Sequence, residues 1–269
     1  MTDNFLIGEK NESIYTIILN RPEKRNAITV EMLIGICEMA EAQAADPDIR
    51  AIILRGQGTI FSAGIDFNSL GGAVLPYAGD AGAGGAPLRA LIYKFQQYIN
   101  RLEAIEIPII CVMHGRALGL GLEIALACDI LLMADDCLWG LPELKLGVIA
   151  DLGGTSRLSR AVGSYRAMEI FMTARNYSAR QALDWGLVNY LYPEAELVAE
   201  AETLGRDICS TAPLAVGAAK KIIKRGEGVD LMTQLDMEAN LNSILLRTKD
   251  FQEGITAMME RRPAQWKKR

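Results

Sequence analysis

Apolar positions along the chain fall into short β-branched runs that alternate with stretches of helical spacing. Ser13–Leu19 (SIYTIIL) reads as a strand, with Phe5–Gly8 before it as a hairpin partner. Thr29 is placed to cap a helix over Val30–Ala45, with Glu31 in its first turn and Asp46-Pro47 closing it. Ile49–Leu54 is a buried strand ending in Gly56, so one β-α-β crossover is already in place, the unit of a parallel sheet. Leu88–Ile105 carries Leu91, Ile92, Phe95, Ile99 and Leu102 on one helical face, and Pro108 precedes a strand over Ile109–Met113. A helix follows over Gly121–Cys128, then helices over Gly153–Ala161, Ser164–Thr173 and Ala179–Trp185, and a last short strand over Leu187–Tyr192. Beyond it the spacing predicts only helices, at Leu197–Cys209, Pro213–Gly226, Leu231–Leu246 and Asp250–Arg261, rich in Ala, Leu, Glu and Lys. The pattern predicts an α/β core over residues 1–193 and a helical region over 194–269.

Composition narrows the class. Half of the 269 residues are hydrophobic and the net charge is −5, which suits a globular protein and argues against nucleic acid as the main partner. The five cysteines are odd in number and never in C-x-x-C spacing, so reduced thiols are expected, with neither disulfides nor a zinc site. MTDNFLIGEK lacks a signal pattern, and the apolar stretch Ile105–Ala134 is interrupted by Pro108, His114, Arg116, Glu123 and Asp129. A soluble cytoplasmic protein with no membrane contact is expected.

Candidate chemistry concentrates in His114–Gly154. A glycine-rich turn, Gly115 to Gly121, runs into LEIALACDI, where Glu123 is the only charge before Asp129. Glu143 follows Pro142, and Asp151 precedes Gly153-Gly154. An unpaired buried carboxylate costs several kcal/mol on an order-of-magnitude view, so three acids in apolar surroundings point to an active site. Each also has a plainer reading: Glu123 and Glu143 as first-turn glutamates, Asp151 as a helix N-cap. FSAGID (Phe61–Asp66) lets backbone approach a ligand closely, with amides able to donate. The loop Asn20–Ala27 carries Lys24 and Arg25 on a surface turn, and Leu70–Pro87 is a Gly/Ala-rich insertion suited to a lid or a substrate-length gauge. No phosphate-binding loop and no G-x-S-x-G elbow occurs, and His114, the one histidine, reads as a hydrogen-bonded strand-end residue.

NRPEKRNAIT, FSAGID, HGRALGLGLEIALACDI and GLPELKLGVIADLGGTSRL, in that order, resemble the crotonase family of enoyl-CoA hydratases and isomerases. The resemblance implies a ββα spiral core with a C-terminal helical trimerisation region. It also implies acyl-CoA chemistry through a thioester enolate, with CoA as part of the substrate, no separate cofactor and no metal. It matches Ala63 and Leu120 to the two oxyanion-hole amides, and leucine stands at 120 where the family usually has glycine. Glu123 and Glu143 match the hydratases' two glutamates. Asp151 matches the aspartate of dienoyl-CoA isomerases, carnitinyl-CoA dehydratases and the dehalogenase-like members. Lys24, Arg25, Ala27, Ser62, Ala63, Gly64, Ile65, Asp66, Gly119 and Trp266 match substrate- and CoA-binding positions. The basic tail Arg261–Arg269 is then either a solvated end or a phosphate clamp. Apolar faces around Leu235, Met237, Leu241, Ile244 and Leu245 suit either a homotrimer or homohexamer, or packing within the chain. Syn hydration of a 2-enoyl-CoA is the leading expectation, dienoyl isomerisation or carnitinyl-type dehydration the alternative, and a non-catalytic acyl-CoA-binding protein a third.

Overall fold

The computed structural model describes residues 5–74 and 85–268. Strands β1 (Leu6–Asn11) and β2 (Ile14–Leu19) form the expected antiparallel hairpin. Helix α1 (Val30–Ala45) starts at Thr29, whose hydroxyl accepts the Met32 amide, and crosses over to β3 (Ala51–Gly56), parallel to β2. Helices α2 (Phe67–Val74) and α3 (Gly85–Ala104) lead to β4 (Ile109–Met113). The insertion expected over Leu70–Pro87 is thus helical at both margins, and its middle, residues 75–84, lies outside the described residues.

The chain then runs through β5 (Arg116–Leu118), α4 (Leu120–Ala125), β6 (Ile130–Ala134) and β7 (Leu138–Gly140). Of these the hydrophobic pattern predicted only the helix. Past a 3-10 turn over Pro142–Leu146 come α5 (Gly154–Val162), α6 (Ser164–Thr173), β8 (Tyr177–Ser178), α7 (Ala179–Asp184) and β9 (Tyr190–Tyr192). One sheet has the order β1-β2-β3-β4-β6-β9, parallel from β2 onward; the other is β5-β7-β8. All five residues of β4 are buried, as a central parallel strand with both faces covered requires. The small sheet is anchored by Trp139, packed among Tyr177 and Trp185 with its indole N–H donating to the Ser178 carbonyl. An isolated bridge between Ser62 and Ala117 ties the FSAGID loop to that sheet, and a second, between Ile28 and Ile65, ties it to the segment ahead of α1.

The last segment is helical, as predicted: α8 (Leu197–Cys209), α9 (Pro213–Gly226), α10 (Leu231–Leu245) and α11 (Lys249–Glu260). Helix α8 lies across β2, β3, β4 and β6 with Gly205 against Ile14, so it completes the core although it falls after residue 193. Helix α9 is pinned to the core by Lys220, which donates to Asp129 at 2.6 Å. Helix α10 packs on α9 with Met237, Leu241 and Leu245 half-buried, while Leu235 and Ile244 stay exposed. The five cysteines are free thiols, and burial pushes Cys37 and Cys137 up to about 12. Among the described residues no helix is long and apolar enough to cross a membrane.

Candidate active site

Two loops meet where β3 and β4 end. The segment before α1 holds its shape through Asn26, which is buried at φ 50°. Its side chain accepts the Arg21 amide and donates to the Gln57 and Ile60 carbonyls. Ser62 donates its hydroxyl to the Asn26 carbonyl and accepts the Gly64 amide. Asp66 caps the start of α2 through the Asn68 and Ser69 amides and pairs with Arg21 at 3.1 Å. These bonds fix the backbone of FSAGID. The Gly64 carbonyl accepts from Ile28 and the Asp66 amide donates to Ile28, so the Ile65 N–H between them points the other way.

On that other side is Gly119, the N-cap of α4, at φ 52°. A Cβ at Gly119 would lie 3.6 Å from the Gly64 Cα and 2.7 Å from Glu143 Oε1, so glycine is needed for both the conformation and the approach. Each glycine is followed by an amide with no partner among the described residues, Ile65 and Leu120. The Leu120 N–H is the first of α4, where unpaired amides favour an anion, and its side chain is buried in the core. Two convergent, unsatisfied donors form a site for a developing oxyanion.

The carboxyls stand beside it. Glu123, in the first turn of α4, is buried, and its Oε1 accepts the Leu152 amide at 2.9 Å and the Gly154 amide at 2.8 Å. A Cβ at Gly154 would lie 2.9 Å from both Oε1 and Cγ of Glu123, so the turn before α5 is cut to fit this carboxylate. Burial nevertheless outweighs those two bonds and pushes Glu123 up to about 8, with Glu143 and Asp151 adding repulsion. Glu143 is raised by burial and by Asp151, and its Oε2 is buried without a hydrogen-bond partner among the described residues. Asp151 is also raised, chiefly by burial. It does not cap α5: the N-cap is Gly153, and the first amide of the helix is taken by the Glu123 side chain.

The structure therefore brings Glu123, Glu143, Asp151, Gly64, Ile65, Gly119 and Leu120 together, and it corrects several other assignments. Ala63 is not a free oxyanion donor, because its amide donates to the Arg25 carbonyl at 2.9 Å; the free amide is that of Ile65. Ser62 is fully buried, and Asp66 is engaged by α2 and Arg21, so their side chains shape the loop rather than face a ligand. The Ala27 carbonyl is taken by Arg21. Lys24 and Arg25 stand exposed on and after the 3-10 turn Pro22–Lys24. Trp266 is not brought to the site by its own chain. Its indole donates to Ser210 and its carbonyl accepts from Arg50, at the end of the sheet where β3 begins, opposite to FSAGID. The tail is neither free nor a clamp at this site, since buried Asp250 holds the Lys267 and Lys268 amides. His114 donates its Nε2–H to the Gly58 carbonyl, 2.9 Å away, as a strand-end residue does. Sequence reasoning missed Arg21 and Asn26, whose roles depend on partners far along the chain, and Gln96, whose amide donates to the Asp151 carbonyl at 2.6 Å.

The chain is similar to known proteins along nearly its whole length. A model of the enoyl-CoA hydratase/isomerase family matches residues 9–269. A peroxisomal Δ(3,5)-Δ(2,4)-dienoyl-CoA isomerase of Arabidopsis thaliana is 34% identical, over 94% of this chain and 92% of its own. A 2,3-dehydroadipyl-CoA hydratase of Escherichia coli is 32% identical, over 98% and 99%. The crystal structure of an enoyl-CoA hydratase from Bacillus anthracis superposes with a TM-score of 0.88 at 31% identity, covering 98% of this chain and 100% of that one.

Proposed function

The chain belongs to the enoyl-CoA hydratase/isomerase, or crotonase, family and is an enzyme of that type, and on that premise we propose that it adds water across the 2,3 double bond of a 2-enoyl-CoA thioester. The observation that carries this reading is the pair Glu123 and Glu143: one buried and one half-buried carboxyl, both raised, beside two free amides. The thioester oxygen accepts from the Ile65 and Leu120 amides, which hold the negative charge of the enolate. Glu143, against Gly119, is the carboxyl beside that oxygen and so beside C2. Glu123 in its ionised form takes a proton from water as its oxygen bonds to C3, and Glu143 in its protonated form delivers a proton to C2. One water is consumed, and passage of the proton from Glu123 to Glu143 restores the start. Lys24 and Arg25, free of ion pairs among the described residues, suit the CoA phosphates. The scheme needs no group beyond these side chains and amides and the CoA of the substrate.

Asp151 favours a second reading. Its raised carboxyl, relieved of any capping role, suits proton delivery at the far end of a 3,5-diene after Glu143 removes one from C2, which is isomerisation without water. Thioester absorbance distinguishes the two. Loss of the conjugated 2-enoyl signal, abolished in Glu143→Gln, supports hydration. A shift of the 3,5-dienoyl spectrum that requires Asp151, with no loss of the 2-enoyl signal, replaces it. Silence with both, despite acyl-CoA binding, leaves a binding protein. We also infer a homotrimer or homohexamer, supported by apolar side chains left exposed on α6, α10 and α11, among them Tyr165, Met172, Met232 and Met259. The unpaired cysteines support a reducing compartment such as the cytoplasm.

A further inference from the structure

The two amides that hold Glu123 belong to peptide groups with different support. The Gly154 N–H shares its peptide with the Gly153 carbonyl, which accepts the Arg157 amide at 2.7 Å as part of α5. The Leu152 N–H shares its peptide with the Asp151 carbonyl, which lies outside the helix. Its partner is the Gln96 side chain, reaching from α3 at 2.6 Å. Helix α3 also braces the turn from behind. Arg157, against which a Cβ at Gly153 would collide, donates to the Leu152 carbonyl and is itself held by Glu103 and Asn100 of α3.

A hydrogen bond accepted at a peptide carbonyl polarises the group and strengthens donation from its N–H. We propose that Gln96 is a positioning residue that acts through the Asp151–Leu152 peptide, strengthening the Leu152 hydrogen bond to the Glu123 carboxylate and so setting the proton affinity of that carboxylate. A chain of two hydrogen bonds then runs from the α3 amide to the reacting base, and Gln96 touches no substrate. The charged groups around Glu123 are Glu143 on the 3-10 turn, Asp151 on the turn before α5, and the Arg157–Glu103 ion pair behind that turn. Gln96→Met alters none of these charges. The proton role assigned to Glu123 rests on the hydratase reading; its proton affinity does not, so the test is made without turnover.

In protein carrying glutamate labelled with ¹³C at the carboxyl carbon, the Glu123 signal is the one lost in Glu123→Gln, and its titration is followed by NMR. Gln96→Met removes the donor at nearly constant volume and is expected to move the Glu123 midpoint upward by about half a unit or more. Gln96→Lys restores a donor to the Asp151 carbonyl but adds a positive charge, so it is read at about 1 M salt, where that charge is screened and the midpoint is expected at the wild-type value. A midpoint unchanged in Gln96→Met, or raised equally in both variants, overturns the proposal. If wild-type protein fails to hydrate enoyl-CoA while the midpoint still follows the donor at 96, the hydration reading fails and this one stands.

Discussion

At Glu123, desolvation and hydrogen bonding oppose each other, and desolvation prevails. The ordinary value of 4.5 rises to about 8 despite two amide donors. Because the folded value lies above the unfolded one, the protonated form favours the fold. That contribution is fully present below pH 4.5 and is lost as pH rises through about 8. Glu123→Gln keeps an oxygen for the Leu152 and Gly154 amides and carries no charge. It is therefore predicted to be more stable than wild type above pH 8, by on the order of a few kcal/mol in denaturant melts, while losing about 10²–10⁴ in kcat. Equal loss of stability at all pH values would contradict this. Gly154→Ala drives a methyl into Glu123 and is predicted to lower kcat about 100-fold. Its kcat is compared with the binding of a saturated acyl-CoA, which should be nearly unchanged. The two glutamates were legible in the sequence because a lone acid in an apolar run needs a reason. The correct oxyanion amide was not: whether Ala63 or Ile65 is free depends on where the Arg25 carbonyl and Ile28 fall in space.

At the scale of elements, the site is a junction of loops held by buried polar bonds. Asn26 makes three of them in a left-handed conformation. Asn26→Ala leaves an amide and two carbonyls unpaired and is predicted to cost about 2–4 kcal/mol in the denaturation free energy, with activity falling in parallel at moderate denaturant. A loss below roughly 1 kcal/mol would show that water replaces these bonds. The long elements were legible because spacing and caps agree: α1, α6, α8 and α9 have the predicted bounds, and β4 does too. Strands β5, β6 and β7 were missed for a physical reason. They are short and sit among small or uniformly apolar residues, and what makes them strands is pairing with β4, β9 and one another. Trp266 was displaced for a related reason: the basic tail carries no local signal of its partners Ser210 and Arg50.

At the scale of the molecule, a well-covered parallel sheet contrasts with a helical region that leaves large apolar side chains bare. Leu231, Met232, Ile244, Met258 and Met259 are each more than half exposed. Isolated apolar side chains on a surface need no partner, but a concentration on adjoining helices does. Light scattering is predicted to give three or six times the chain mass, and Met232→Glu with Met259→Glu to lower it; a monomeric wild type would contradict the assembly. Whether Glu123 and Glu143 add water or move a double bond is decided by turnover of a 2-enoyl-CoA in H₂¹⁸O with mass analysis of the product. Addition of water gives a product carrying one ¹⁸O at C3, absent in Glu123→Gln and in Glu143→Gln. A product equal in mass to the substrate, with the double bond displaced, would contradict it.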